Sequence, residues 1–273
     1  MRLILRALIL LGAVAPLQAG ACTVRDFLAL PLPVTVADPV AAALEIAYPG
    51  LTVAADRVTL PDGATLPLGP RRALPPERLL EEASIAEQFA QTYPLAFDLR
   101  AREAPGFDPG RFRNEAFFRA LWFADEAAAF RSLATVRVAA GGTRAAFQVT
   151  TRHCAAAQLD AALREAAALG PAAAPFFRDI GGSFNWRRIA GTDRLSTHSF
   201  GIAVDLNSAL GGYWRWGLRP DGSLAPYDNR MPEALVRAFE RHGFIWGGKW
   251  HHYDGMHFEY RPEMIVHARL VGG

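Results

Sequence analysis

The sequence predicts an α+β fold in which an antiparallel sheet with flanking helices follows an N-terminal extension. Three observations carry that prediction. Short strand-like runs bounded by Gly, Pro and Asp are interspersed with helical runs. Two hairpin signals stand out, one around Asp62-Gly63 in "RVTLPDGATLPLG" and one around Gly141-Gly142. With 273 residues, 51% of them apolar and 21% charged, the chain can bury a sizeable core.

At the start, "MRLILRALILLGAVAPLQAGAC" sets Arg2 and Arg6 ahead of an apolar run that ends in small residues. This is the pattern of a secretory signal peptide over residues 1–21. The apolar run is too short to span a bilayer, which needs roughly 20 residues. Cleavage after Ala21 leaves Cys22 first and two fates open for it, a lipid anchor or a disulfide with Cys154, the other cysteine. Either fate places the protein outside the cytoplasm, in the periplasm or cell envelope.

Residues 22–95 read as the extension. Its hairpin is followed by "PPERLLEEASIAEQFAQTY", read as one helix with Leu79, Ala83, Ala86 and Phe89 on one side. Residues 96–273 read as the main domain. Strands over 135–139 and 145–151 form its first hairpin, and a helix over 155–169 stops at Gly170-Pro171. "MPEALVRAFERHGF" is a helix opened by Pro232 and closed at Gly243. No second apolar stretch is long enough for a membrane helix. The net charge of +2, nearly all its cations arginine with Lys249 the one lysine, argues against a chain that coats nucleic acid.

Chemistry concentrates in "RLSTHSFGIAVDLN" (194–207) and "WGGKWHHYDGMHFEY" (246–260). Strand alternation puts Ile202, Val204 and Leu206 on one face and Ala203, Asp205 and Asn207 on the other. In "MHFEY" it separates Phe258 and Tyr260 from His257 and Glu259. Two adjacent strands so oriented bring Asp205 to His257, and His198 in the preceding turn closes a third corner. Two imidazoles and a carboxylate suit a catalytic zinc, which takes three protein ligands and keeps a position for water, whose pKa falls to about 7. A carboxylate must then carry the proton, and Asp254 is the candidate.

Taken together and in order, "STHSFGIAVD", "WGGKW" and "DGMHF" resemble the zinc D-alanyl-D-alanine carboxypeptidases and the related L-alanyl-D-glutamate endolysin peptidases, which share a fold with hedgehog signalling domains. The resemblance spans about 176–260. It implies His198, Asp205 and His257 as zinc ligands, Asp254 as general base and a peptidoglycan stem peptide as substrate. In "SFNWRRIAG" it implies an arginine on substrate or the developing oxyanion, by position Arg187, with Arg188 the alternative. Ser196 and Trp250 are implied as substrate contacts. The carboxypeptidase branch commonly has Glu where this chain has Asp254, as in the endolysin branch.

Other residues read more blandly. Glu259 orients His257 or pairs with an arginine. His251 and His252 read as exposed loop residues, and His153, His242 and His267 carry no motif. Trp246 is expected to pack, with one of Trp214, Trp216 and Trp250 lining a cleft. Two rival readings are a non-catalytic zinc-bearing binding module and a structural envelope protein.

Overall fold

The computed structural model describes residues 22–272, so the signal-peptide segment 1–21 lies outside the described residues. The chain opens with helix α1 (Pro39–Ala47), whose first turn is capped by Asp38 accepting from the amides of Val40 and Ala41, with Pro39 preset for the first helical position. Strands β1 (Thr52–Ala54), β2 (Arg57–Thr59) and β3 (Thr65–Pro67) form a small antiparallel sheet in which β2 and β3 are the hairpin expected around Asp62-Gly63.

The expected long helix is divided in two. Helix α2 (Pro76–Glu82) stops at Ala83, whose ψ is 134°, and a 3-10 turn follows over Ala86–Phe89. A reciprocal cap makes the break: Ser84 Oγ accepts from the Glu87 amide at 3.1 Å while Glu87 accepts from the Ser84 amide at 2.8 Å. The apolar face is divided with it. Leu79 and Ala83 pack with Phe112, whereas Ala86 and Phe89 join the main core.

Helices α3 (Glu115–Leu121) and α4 (Glu126–Arg131) are capped by Asn114 and Asp125. They lead into the hairpin of β4 (Leu133–Ala140) and β5 (Thr143–Thr150), which packs on α5 (Ala155–Ala167). The central sheet has four strands, β6 (Ile180–Gly182), β7 (Ala203–Asn207), β8 (Phe244–Trp246) and β9 (His257–Tyr260), in the order β6-β7-β9-β8 and antiparallel throughout. Short helix α6 (Ser208–Gly211) follows β7, α7 (Glu233–Arg241) precedes β8, and α8 (Pro262–Leu270) follows β9.

One hydrophobic core runs from Phe27 to Val266 and includes Leu44 and Tyr48 of the N-terminal segment beside Phe258 and Ile265. Helix α1 packs on α8. A disulfide joins Cys22 to Cys154 at the start of α5, which engages the sulfur a lipid anchor would use. Among the described residues no helix is long and apolar enough to cross a membrane.

Candidate metal centre and cleft

The pairing of β7 with β9 sets Asp205 directly opposite His257. Both side chains project to the same face of the sheet, as cross-strand partners do. His198 comes from a 3-10 turn, Thr197–Phe200, that Ser196 caps by accepting from the His198 amide at 3.4 Å. Gly201 ends this turn at φ 65°, and a Cβ there would lie 3.1 Å from the Thr150 amide nitrogen, so the tight return into β7 requires glycine.

The three side chains converge, with one ligand atom from each lying within 4.8 Å of the others. His198 Nε2 is 3.2 Å from Asp205 Oδ2 and 3.2 Å from His257 Nδ1, and His257 Nδ1 is 2.9 Å from Asp205 Oδ1. The outward nitrogens fix the tautomers. His198 Nδ1 donates to the Ser183 carbonyl at 2.5 Å, and His257 Nε2 donates to Glu259 Oε2 at 3.0 Å. In neutral imidazoles so oriented, the inward nitrogens are both acceptors, and they face a third acceptor on Asp205. Three acceptor lone pairs pointing at one another, two of them on buried histidines and one on a half-buried carboxylate, call for a cation between them, and a two-histidine, one-carboxylate set suits zinc.

Protonation shows the same field. Burial opposes a charge on His257, but hydrogen bonds to Asp205 and Glu259 outweigh it and push the imidazole up to about 10. Burial likewise works against ionised Asp205 and Glu259; the imidazoles nevertheless hold Asp205 far below the carboxylate range, and His257 with Arg261 holds Glu259 at about 2. The pocket therefore retains positive charge strongly. Glu259 combines both expected roles, since its Oε1 also accepts from Arg261 at 3.2 Å.

Asp254 lies on the turn before β9, where its amide donates to the Gly247 carbonyl and its carbonyl accepts from the His257 amide. Its Oδ1 is buried with no partner, and burial pushes the carboxyl up to about 6. The turn is held in place by Trp246, a core residue whose indole donates to the Gly255 carbonyl at 2.8 Å.

A cleft of about 410 Å³ opens over this centre, lined by His198, Asp205, His257, Asp254, Ser196 and Arg187, and walled by Trp214, Trp216 and Trp250. Trp250 is buried, with its indole donating to the Pro109 carbonyl and its ring 5.7 Å from that of His257. Arg187 is exposed on the cleft with its backbone pinned by Ser199, while Arg188 turns away to Asp193 at 2.7 Å. His251 and His252 are half-buried rather than exposed: His252 Nδ1 donates to Asp108 at 2.7 Å and its ring packs on Trp214, while the His251 amide donates to the Phe107 carbonyl.

Sequence reasoning missed Ser183, which acts through a carbonyl that any residue offers. It also missed Asp108, Arg111, Arg113 and Arg194. The first three lie upstream of both motif stretches, where no spacing links them to the site.

Residues 190–260 match the family model described as D-alanyl-D-alanine carboxypeptidase. No curated protein and no solved structure matches the chain. The matched stretch encloses His198, Asp205, Asp254 and His257 and leaves Arg187 just upstream. The region that forms the candidate metal centre and one wall of the cleft is thus similar to the D-alanyl-D-alanine carboxypeptidase family of peptidases.

Proposed function

We propose that this protein is an exported, zinc-dependent peptidase that hydrolyses an amide bond in peptidoglycan stem peptides, with His198, Asp205 and His257 holding the metal. The observation that carries the proposal is the convergence of three acceptor atoms, from two buried histidines whose tautomers are fixed from outside and from half-buried Asp205. Zinc held there would polarise the scissile carbonyl and make water a nucleophile near neutrality.

The chain's own residues supply the rest. Asp254, whose Oδ1 is buried and lacks a partner, takes the proton from the attacking water and delivers it to the leaving amine. Its carboxyl is pushed up to about 6, close to the operating pH of a proton shuttle. The Arg187 guanidinium, free of any carboxylate within 4.0 Å among the described residues, offers positive charge to the developing oxyanion. Ser196 and Trp250 line the approach and position the peptide. The Cys22–Cys154 disulfide supports export to an oxidising compartment.

A binding module with the same metal has no use for a carboxylate with a buried, unpaired oxygen, which favours the catalytic reading. Mass analysis of a defined muropeptide digest tests it. Wild type is expected to release a fragment, D-alanine for carboxypeptidase action or a cut after L-alanine for endopeptidase action, and Asp254→Ala to release none while still binding zinc. Wild-type protein that binds one zinc and cleaves no muropeptide overturns the reading.

A further inference from the structure

Five arginines line the cleft, Arg111, Arg113, Arg187, Arg194 and Arg215, against three carboxylates. Among the described residues none of the three forms an ion pair with any of the five within 4.0 Å. Asp205 faces both imidazoles, Glu259 is shared by His257 and Arg261, and Asp254 has a buried oxygen without any partner. Among the described residues Arg113 and Arg194 have no carboxylate within 4.0 Å. Arg111 reaches Asp108 only at 3.7 Å, and that carboxylate already accepts from His252 at 2.7 Å.

Arg113 is the most constrained of the group. It is 8% exposed, its Nη2 donates to the Leu195 carbonyl at 3.0 Å, and its Nη1 is buried with no partner. Burial pushes its guanidinium down to about 10; Glu259 opposes that shift, and Arg194 and Arg261 add to it. Arg194 is half-buried, donates to the Arg111 carbonyl at 3.2 Å, and is lowered by burial and by Arg111. Backbone carbonyls thus hold like charges together on one wall, an unfavourable arrangement until an anion joins it. The planar fork of a guanidinium matches a carboxylate with two parallel hydrogen bonds.

We propose that Arg111, Arg113 and Arg194 form a recognition site for a substrate carboxylate, beside the candidate metal ligands and built largely from a segment upstream of the family match. The proposal rests on the peptidase reading for its substrate class. Stem peptides offer this chemistry from two sources, the C-terminal carboxylate and the free α-carboxylate of the γ-linked D-glutamate. The first source fits removal of a terminal residue and the second fits a cut inside the stem.

The test uses the zinc-loaded full chain and three forms of one synthetic pentapeptide, L-Ala-γ-D-Glu-L-Lys-D-Ala-D-Ala: the free acid, its C-terminal amide and its isoglutamine form. Binding is measured by calorimetry with Asp254→Asn, and turnover with wild type. One of the two amides is expected to bind roughly 10- to 100-fold more weakly than the free acid and to raise KM with little change in kcat, and it identifies the source. Arg194→Gln, at a half-exposed position that spares the buried Arg113, is expected to bind acid and amide forms alike. Equal binding of all three peptides to the arginine-intact protein, or binding of none, overturns the proposal. Acid-selective binding without cleavage by wild type would leave the carboxylate site standing and remove the peptidase reading instead.

Discussion

The two oxygens of Glu259 are engaged separately, Oε2 accepting from the outward nitrogen of His257 and Oε1 from Arg261. Replacing the carboxylate by an amide keeps the shape but weakens the acceptor that fixes the His257 tautomer and makes the ring a better ligand. Glu259→Gln is therefore expected to lower zinc affinity by about 10- to 100-fold, read by competition with a chromogenic chelator. Unchanged affinity would mean that the imidazole is oriented by something else. At this scale the sequence was informative where chemistry resides in side-chain type. His198, Asp205, Asp254 and His257 could be marked because the side chains around them form ordered motifs that together resemble a peptidase family, which the spacing of the histidines and carboxylates alone does not. Ser183 could not, because it contributes only its carbonyl, and Arg113 could not, because burial and a missing partner are properties of the folded chain.

Pairing across β7 and β9 is what converts two separate motifs into one site. Alternation along "GIAVDLN" and "MHFEY" was enough to anticipate that Asp205 and His257 share a face, since a register slip of one residue would send either to the opposite side. The helix break at Ala83 was less legible. An apolar period runs unbroken from Leu79 to Phe89, while the competing Ser84–Glu87 cap contributes no apolar signal to that period. The turn before β9 depends on a close approach, because a Cβ on Gly255 would meet the Gly211 carbonyl and the Tyr227 hydroxyl. Gly255→Ala is expected to cost about 1–3 kcal/mol of stability, by forcing apart the end of α6 and the turn that carries Asp254. Denaturant melts check the cost. Wild-type stability in that variant would show that the two segments can separate freely.

The N-terminal segment is fastened to the rest of the molecule in three ways: by the shared core, by α1 on α8, and by the Cys22–Cys154 bond across a sequence separation of 132. A closure of that length constrains the unfolded chain strongly. The paired change Cys22→Ser with Cys154→Ser is expected to lower stability by about 2–5 kcal/mol, with zinc affinity little changed because neither sulfur touches the metal centre. Equal denaturation midpoints for the two proteins would refute this. Composition and cysteine count made the disulfide one of two readings. They could not choose between them, because pairing depends on where α5 ends up relative to the N-terminus.

The same segment reaches the candidate metal centre through a row of buried polar groups. The Tyr48 hydroxyl donates to Glu263 at 2.6 Å, Arg261 bridges Glu263 and Glu259, and Glu259 holds His257. Tyr48, Arg261 and Glu263 all fall outside 190–260. A graft of that stretch onto a foreign scaffold would transplant every proposed ligand yet strand Glu259 without its counterweight. The transplanted histidine would be free to swivel, so the smallest portable version of this centre has to include the residue that closes the first helix as well as the last helix.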